Sequence, residues 1–440
     1  MKRRTAQPAP ARAPRRWRRR VPGERPGHTA TTAHLSAAYP FMADGGLGAR
    51  GVYIGRDALG ASFVYDPWEL YPTQITDPNW VVIGRIGTAK SALVKTYLMR
   101  QAIFGRRAWV IDPKGEYGAL AQALGATPIR LRPGGEVRLN PLTARGGWEG
   151  QLSVLRAVTA GVLDSALTPE EDAALREALK ELRRRAGEPT LPRVVELLLR
   201  PIEAMAAPLA TTVPELARAA RRAALGLQRL CEGDLAGMFD GPTTPGLDLD
   251  GRLVVIDLRS VYGSAALGIL MTCATAWLRA MVPELDEDDK LILVIEEAWR
   301  VYRVLDTAEQ LQESSKLSRD VGQHISVMHR LSDLLAAGDE GSRLVRLAEG
   351  LLAETQTRII YAQSPDQVPF TREIIGLTKT EAELLPYLQR GEALWKVGNR
   401  SFLVQHRLSG VEARIVYTDA RMTAGRRRPR SGAGVEQMAT

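Results

Sequence analysis

Two clusters of residues in this 440-residue chain could do phosphate chemistry, and the first is the run from Gly84 to Ser91. It follows an apolar segment, residues 80–83, and precedes a helical pattern. A glycine-rich loop in this context directs backbone N–H groups at phosphate oxygens. Lys90 would reach the β- and γ-phosphates, and the Ser91 hydroxyl would ligate Mg²⁺. An ordinary strand–turn–helix is the alternative. The predicted nucleotide-binding residues are Gly84, Arg85, Ile86, Gly87, Thr88, Ala89, Lys90, Ser91 and Ala92.

One position departs from the usual loop pattern, since Ala89 stands where a glycine normally precedes the lysine. If this position needs a positive φ, alanine costs about 1–2 kcal/mol. If it needs only a close approach of the backbone, a methyl group is tolerated. We expect a loop that binds nucleotide, with weakened binding in the first case.

The second cluster is the pair Glu296 and Glu297, which directly follows the apolar run 291–295. Open α/β sheets bind ligands at the carboxyl ends of their strands. Neighbouring residues of a strand point to opposite faces, so the two carboxylates can serve different groups. We assign Glu296 to the metal, directly or through water, and Glu297 as the catalytic base. A solvated strand end after the acidic residues 286–289 is the alternative.

Strand and helix patterns alternate from about residue 50, which predicts a mostly parallel sheet. Short strands are expected at residues 128–131 and 137–139, and residues 150–239 carry only helical patterns. A strand between the two clusters is typical of RecA-like proteins. The predicted class is α/β, a RecA-like P-loop NTPase with an all-α insertion. The expected parts are a basic arm (1–36), the first part of the ATPase domain (37–149), the insertion (150–240), the second part of that domain (241–422) and a tail (423–440).

Charge and composition exclude several function classes. The segment 1–26 carries the whole net charge of +9, so attraction to nucleic acid or anionic lipid resides at the chain ends, which we expect to be disordered. Two cysteines and no HExxH pair exclude a disulfide framework and argue against a zinc hydrolase. The apolar stretch 260–278 is better explained as a buried helix, so no integral membrane segment is expected.

The segment from Tyr53 to Leu142, and the chain again after the helical insertion, resembles the ATPases of conjugative transfer and type IV secretion, in the FtsK–HerA superfamily. The matching pieces are the loop GRIGTAKS, then DPKGEY at 112–117, LNPL at 139–142 and EEAW at 296–299. The resemblance covers roughly residues 50–422 and corresponds to the motor domain alone. It implies ATP and Mg²⁺ as cofactors and hydrolysis that powers transfer of DNA or protein.

The resemblance also implies assembly and location. Its members work as homo-hexamers, in which an arginine of one subunit reaches the γ-phosphate of its neighbour, and they cooperate with other components of a transfer apparatus. Nothing in the sequence selects among Arg319, Arg358, Arg390 and Arg400 for that role. A cytoplasmic protein, peripheral at the inner face of the cell membrane, is expected, with possible DNA contact through the basic arm.

The sequence leaves the roles of some further residues undecided. His329 stands where the family commonly has a glutamine that hydrogen-bonds the γ-phosphate or its water, so it is either catalytic or a strand-end residue with no such role. Asp112 and Glu116 either attract the water shell of Mg²⁺ or bind a neighbouring subunit, and Asp112 alternatively caps the segment that follows it.

Two other functions compete with the transfer motor. One is an FtsK/HerA-type double-stranded DNA translocase. The other is a nucleotide-binding scaffold with little turnover, because Ala89, Glu296 and His329 all depart from the usual signature. The same departures predict weakened activity if the chain is an ATPase.

Overall fold

The computed structural model describes residues 46–143, 147–249, 251–263, 267–280, 289–302, 322–332, 346, 349–350, 352 and 355–417. The basic arm, the C-terminal tail and Arg319 lie outside these residues.

Eleven strands form one sheet in the order β2-β1-β11-β10-β9-β3-β8-β7-β4-β6-β5. The seven strands from β9 to β5 pair in parallel, while β2, β1, β11 and β10 extend the sheet with antiparallel pairs. The strands are β1 (Val52–Asp57), β2 (Ser62–Tyr65), β3 (Trp80–Ile83), β4 (Arg107–Asp112), β5 (Ile129–Arg130), β6 (Leu253–Asp257), β7 (Leu291–Ile295), β8 (Gly322–Met328), β9 (Thr357–Tyr361), β10 (Glu392–Val397) and β11 (Arg400–His406).

The parallel strands are buried on both faces, as their continuous apolar sequences require. All residues of β3, β6 and β7 are buried. Along β3, Val81 and Ile83 belong to one hydrophobic core and Trp80 and Val82 to the other, so the sheet separates two cores. The α/β class with a mostly parallel sheet is confirmed.

Helices cover both cores. They are α1 (Pro67–Leu70), α2 (Lys90–Ile103), α3 (Gly118–Ala123), α4 (Gly147–Leu163), α5 (Pro169–Arg184), α6 (Leu191–Leu199), α7 (Glu203–Ala206), α8 (Val213–Cys231), α9 (Leu267–Ala280), α10 (Trp299–Tyr302), α11 (Val368–Ile375), α12 (Lys379–Leu384) and α13 (Gly410–Val416). Within the described parts of the chain, no helix combines the length and the apolar character needed to cross a bilayer.

The segment between β5 and β6 is helical where a long insertion was expected, and α4 to α8 follow one another in it. Helix α5 begins with a capping box between Thr168 and Glu171. The exact limits of the insertion remain a prediction. The strand expected at residues 137–139 is wrong, because this stretch is a loop in which the Leu139 N–H donates to the Met238 carbonyl.

Candidate nucleotide-binding site

The loop Gly84–Ala89 joins β3 to α2 and has a fixed shape. A side chain at Gly84 is excluded, because a Cβ there would lie 2.5 Å from the Cβ of Tyr361. The Thr88 hydroxyl donates to the Arg85 carbonyl at 2.8 Å, and the Arg85 N–H donates to the Ala362 carbonyl at 3.0 Å. The loop is therefore anchored beside the end of β9 without any ligand.

Ala89 has φ 83° and ψ 23°, in the left-handed region, and it is the N-cap residue of α2. The position thus needs a positive φ, the case in which alanine costs about 1–2 kcal/mol. Ala89 has no side-chain group that could cap the helix. The first N–H groups of this 14-residue helix are therefore left to bind an anion.

Lys90 begins α2 and is 5% exposed. Its ammonium group donates to the carbonyls of Gly84 and Arg85, so the loop holds it, and it forms no ion pair with any residue that the structure describes. Burial lowers the pKa of Lys90 to about 8, although the charges of Glu296 and Glu297 oppose this shift. Phosphate oxygens could replace the two carbonyls as acceptors.

Glu296 follows β7 directly and is buried. Its Oε1 accepts a hydrogen bond from the Tyr117 hydroxyl at 2.7 Å. Burial raises the pKa of Glu296 above that of an exposed carboxyl. Strands β3, β8 and β7 are parallel neighbours, so their carboxyl ends place Glu296 at the same sheet edge as the loop.

Glu297 lies next to Glu296 but has different partners. Its Oε1 pairs with the Lys114 ammonium and lies 2.7 Å from His329 Nε2, and its Oε2 accepts from Trp299 Nε1 at 2.9 Å. Burial alone would raise the pKa of Glu297, but the hydrogen bonds from His329 and Lys114 outweigh it and hold this pKa well below its usual range.

The separation of the two carboxylates has a different origin from the expected strand alternation. Strand β7 ends at Ile295, and Glu297 has φ 53°, in the left-handed region. Such a conformation is strained for glutamate and is often found at functional sites. The turn after the strand, and not the pleat, sends the two side chains to different partners.

The turn after β4 places Lys114 beside Glu297 and Tyr117 beside Glu296, and the sequence patterns predicted neither residue. The Asp112 carboxylate accepts the backbone N–H groups of Lys114 at 3.2 Å, Gly115 at 2.8 Å and Tyr117 at 2.9 Å. Asp112 thus organises the turn, which favours its capping role over a metal role. The sequence feature that could have indicated both residues is their position in the segment 112–117, directly after a strand whose carboxyl end lies at the same sheet edge as the loop.

These elements enclose a cleft of about 140 Å³. Of the predicted site residues, Gly84, Arg85, Thr88, Glu296 and Glu297 do not line it. The first three support the loop, and the two carboxylates are buried. Four cationic side chains and the start of α2 face the cleft, which suits a polyanion. The lining residues are Ile86, Gly87, Ala89, Lys90, Ser91, Ala92, Lys95, Lys114, Glu116, His329, Arg390, Val416 and Tyr417.

The described arginine candidates differ in their surroundings. Arg390 lines the cleft of its own chain and lies over the Tyr417 ring, 5.0 Å from its centre. Arg358 donates to the carbonyls of Leu352 and Ile375, and Arg400 donates to the carbonyl of Gly46. The contacts of Arg358 and Arg400 hold their own chain together.

The residues present fit Mg²⁺ bound together with a nucleotide. In the described residues, no group of three or more His, Cys, Asp or Glu side chains could hold a metal alone. Mg²⁺ usually takes one or two protein oxygens and otherwise binds phosphate and water. Ser91 in the first turn of α2 and the buried Glu296 could provide these oxygens.

Comparison with solved structures identifies the fold. VirB4 of Thermoanaerobacter pseudethanolicus superposes with a TM-score of 0.68 at 23% identity, over 84% of this chain and 99% of VirB4. The plasmid coupling protein TrwB, in complex with a non-hydrolysable ATP analogue, gives a TM-score of 0.58 at 17% identity, over 82% of this chain and 90% of TrwB. The chain has the fold of these two proteins.

The RecA-like P-loop fold and the resemblance predicted from the sequence are thereby confirmed at the level of structure. TrwB has also been solved in complex with ADP and Mg²⁺; that structure superposes with a TM-score of 0.57 at 17% identity, over 82% of this chain and 90% of TrwB. No protein-family model matches the sequence, and no curated protein matches it.

Proposed function

We propose that the chain binds ATP with Mg²⁺ in this cleft and hydrolyses it. The observation that carries the proposal is that one sheet edge holds the Lys90 loop, the start of α2 and the Glu296–Glu297 pair, whose charges act on Lys90. Each is expected for phosphoryl transfer, in which positioning and charge neutralisation supply most of the catalysis.

The chain's own residues divide the work. Lys90 exchanges the loop carbonyls for β- and γ-phosphate oxygens, while the backbone N–H groups at the start of α2 bind the same phosphates. Ser91 and Glu296 hold Mg²⁺, which when bound neutralises phosphate charge. Glu297 orients the attacking water and accepts its proton. His329 fixes the Glu297 carboxylate through the contact between Nε2 and Oε1.

The work driven by hydrolysis is proposed from the likeness to VirB4 and TrwB, the latter a conjugative coupling protein. A homo-hexamer at the inner face of the cell membrane, acting with other components of a transfer apparatus, is the expected assembly. The basic arm is proposed to contact DNA. Of the described arginines, Arg390 already belongs to its own cleft, so a trans-acting arginine remains to be identified.

Two observations favour a slow enzyme or a binding scaffold as the second candidate. Ala89 is held in a strained conformation at the loop, and the Glu297 carboxylate is occupied by Lys114 and His329. A carboxylate with a lowered pKa is a weak base, so turnover requires that Glu297 lose a partner.

Phosphate release from ATP tests the proposal with wild type, Lys90→Ala and Glu297→Gln, and with Lys379→Met as the surface-lysine control. We expect Lys90→Ala to abolish turnover by weakening binding. Loss of a general base typically costs about 10²–10⁴-fold, so Glu297→Gln should bind ATP but hydrolyse it at least 100-fold more slowly. Equal rates in all four proteins would reject the enzyme. Tight ATP binding by wild type without phosphate release would favour the scaffold.

A further inference from the structure

The Lys114 side chain lies at the wall of the cleft. Its ammonium group pairs with Glu297 Oε1 and lies 2.9 Å from His329 Nε2. An ammonium group has three N–H donors. His329 Nε2 donates to Glu297 and therefore does not accept from Lys114, so Glu297 is the one acceptor of this ammonium group among the described residues, and 24% of the Lys114 side chain is exposed. Lys114 can therefore accept a further anionic partner from the cleft.

The backbone that carries Lys114 is rigid. Gly115 has φ +68°, in the left-handed region that favours glycine. Asp112 fixes the turn with three backbone hydrogen bonds. Only the flexible end of Lys114 can move, and its present contacts leave that end beside Glu297.

The two lysines of the site favour an anion between them. Both Lys90 and Lys114 line the same cleft, so two positive charges face the same space. Lys90 comes from the end of β3, whereas Lys114 comes from the turn after β4, with β8 and β7 between these strands. The two ammonium groups thus reach the cleft from different sides, and a polyphosphate would relieve their repulsion.

We propose that Lys114 binds the γ-phosphate and so distinguishes a nucleoside triphosphate from a diphosphate. This inference rests on the function proposed above. Lys90 and the start of α2 hold the phosphates on the β3 side. The phosphate next to Glu297 must be the terminal one, because the attacking water that Glu297 orients has to reach it. Lys114 contacts Glu297 and is therefore within reach of that phosphate, which it would share with Lys90.

Binding calorimetry with Mg²⁺ tests the proposal, using ADP and a non-hydrolysable ATP analogue on wild type, Lys114→Met, Lys114→Arg and Lys379→Met. A charge-assisted hydrogen bond to phosphate implies a loss of roughly 10- to 100-fold in analogue affinity for Lys114→Met, with ADP affinity unchanged. Lys114→Arg should recover part of the loss, since arginine keeps the charge and the donors. Lys379→Met should behave as wild type.

A double variant separates direct contact from an indirect effect through Glu297. Removing Lys114 leaves the Glu297 charge less compensated, which could itself repel the γ-phosphate. In Lys114→Met combined with Glu297→Gln this charge is absent, and direct contact predicts that analogue affinity stays low. Recovery of analogue affinity in the double variant would overturn the proposal.

The remaining outcomes also decide. An equal loss of ADP and analogue affinity, or no loss of either, would overturn the role of Lys114, because a merely structural residue does not select the terminal phosphate. If wild type binds neither nucleotide, the proposed function itself fails. If wild type binds both and Lys114→Met keeps the wild-type ratio of affinities, only the present inference fails.

Discussion

The candidate nucleotide cleft and the helical segment 147–231 differ in how their buried polar and charged groups are satisfied. In the helical segment, all of which the structure describes, no buried side-chain nitrogen or oxygen lacks a partner. Its helices α5 and α8 both begin with capping boxes, at Thr168 and Thr212. At the cleft, Lys90 and Glu296 are buried at a cost to their charged forms, and His329 Nδ1 is buried with no partner among the described residues.

Backbone conformation shows the same contrast. In the helical segment the non-glycine residues with positive φ, Asp164 and Ala210, follow the ends of helical turns, where this conformation is common. At the site, Ala89 starts a helix and Glu297 follows a buried strand, and neither position favours it. Of these two regions, the cleft carries strained backbone and buried charges, whereas the helical segment is locally consistent.

The largest expected effect is loss of stability from the helical segment. Leu179 in α5 is completely buried. Leu179→Ala should lower the free energy of unfolding by about 2–5 kcal/mol, because it leaves a cavity in the core. Nucleotide affinity of the folded protein should not change. Urea unfolding and nucleotide titration measure the two quantities. A change in nucleotide affinity without a loss of stability would contradict the view that the helical segment serves stability and the cleft serves binding.

The opposite sign is expected at Lys90. Without nucleotide and Mg²⁺, Lys90→Met removes a buried charge but leaves two carbonyls without a donor, so we expect a net gain of roughly 1–2 kcal/mol at pH 7. The pKa of Lys90 is about 8 when folded, against 10.5 for the unfolded side chain. The unfolded state therefore binds more protons between these values, and wild-type stability rises with pH.

The advantage of Lys90→Met should accordingly be largest below pH 8 and shrink as the pH approaches 10.5. Urea unfolding of both proteins at pH 7 and pH 10 measures this difference. A variant less stable than wild type at both pH values would show that Lys90 stabilises the loop.

A smaller loss is expected from the helix cap. The Thr168 hydroxyl accepts from the Glu171 N–H, and Glu171 in turn accepts from the Thr168 N–H. Thr168→Ala should cost about 1 kcal/mol in thermal or urea unfolding, with the rate of phosphate release unchanged. Ser153→Ala, which removes an exposed hydroxyl group within α4, is a control in the same segment. An effect on turnover would mean that the helical segment is coupled to the cleft.

The smallest effect concerns the loop itself. Ala89→Gly should raise the free energy of unfolding by no more than about 1 kcal/mol, because the relief of strain is partly offset by the greater freedom of glycine when unfolded. Nucleotide affinity should rise in parallel, since the loop keeps its shape at lower cost. Lower affinity in the glycine variant would indicate that the alanine methyl group contributes to binding.

Much of the fold was predictable because its signals are local. Short stretches of sequence are enough to indicate some elements without any knowledge of distant contacts. Examples are the apolar runs of β3, β6 and β7 and the capping box at Thr168. The stretch 137–139 was not predictable, since its apolar residues serve a loop whose partner, Met238, lies about a hundred residues further along the chain. Such pairing leaves no periodic signal.

The site divides in the same way. The loop and the two carboxylates follow recognisable strands, so the sequence predicted Lys90, Glu296 and Glu297. Lys114 and Tyr117 were missed because they reach Glu297 and Glu296 across a distance of about 180 residues in the chain. The left-handed conformation of Glu297 was not predictable from the alternation of side chains along a strand, because β7 ends at Ile295.

A crystal structure of Glu297→Gln grown with ATP and Mg²⁺ would test the central claim most directly. The account predicts that the Lys90 ammonium leaves the carbonyls of Gly84 and Arg85 and contacts the β- and γ-phosphates, with the metal near Ser91. ATP bound elsewhere on the chain, or a Lys90 side chain still held by its own loop beside a bound nucleotide, would contradict it.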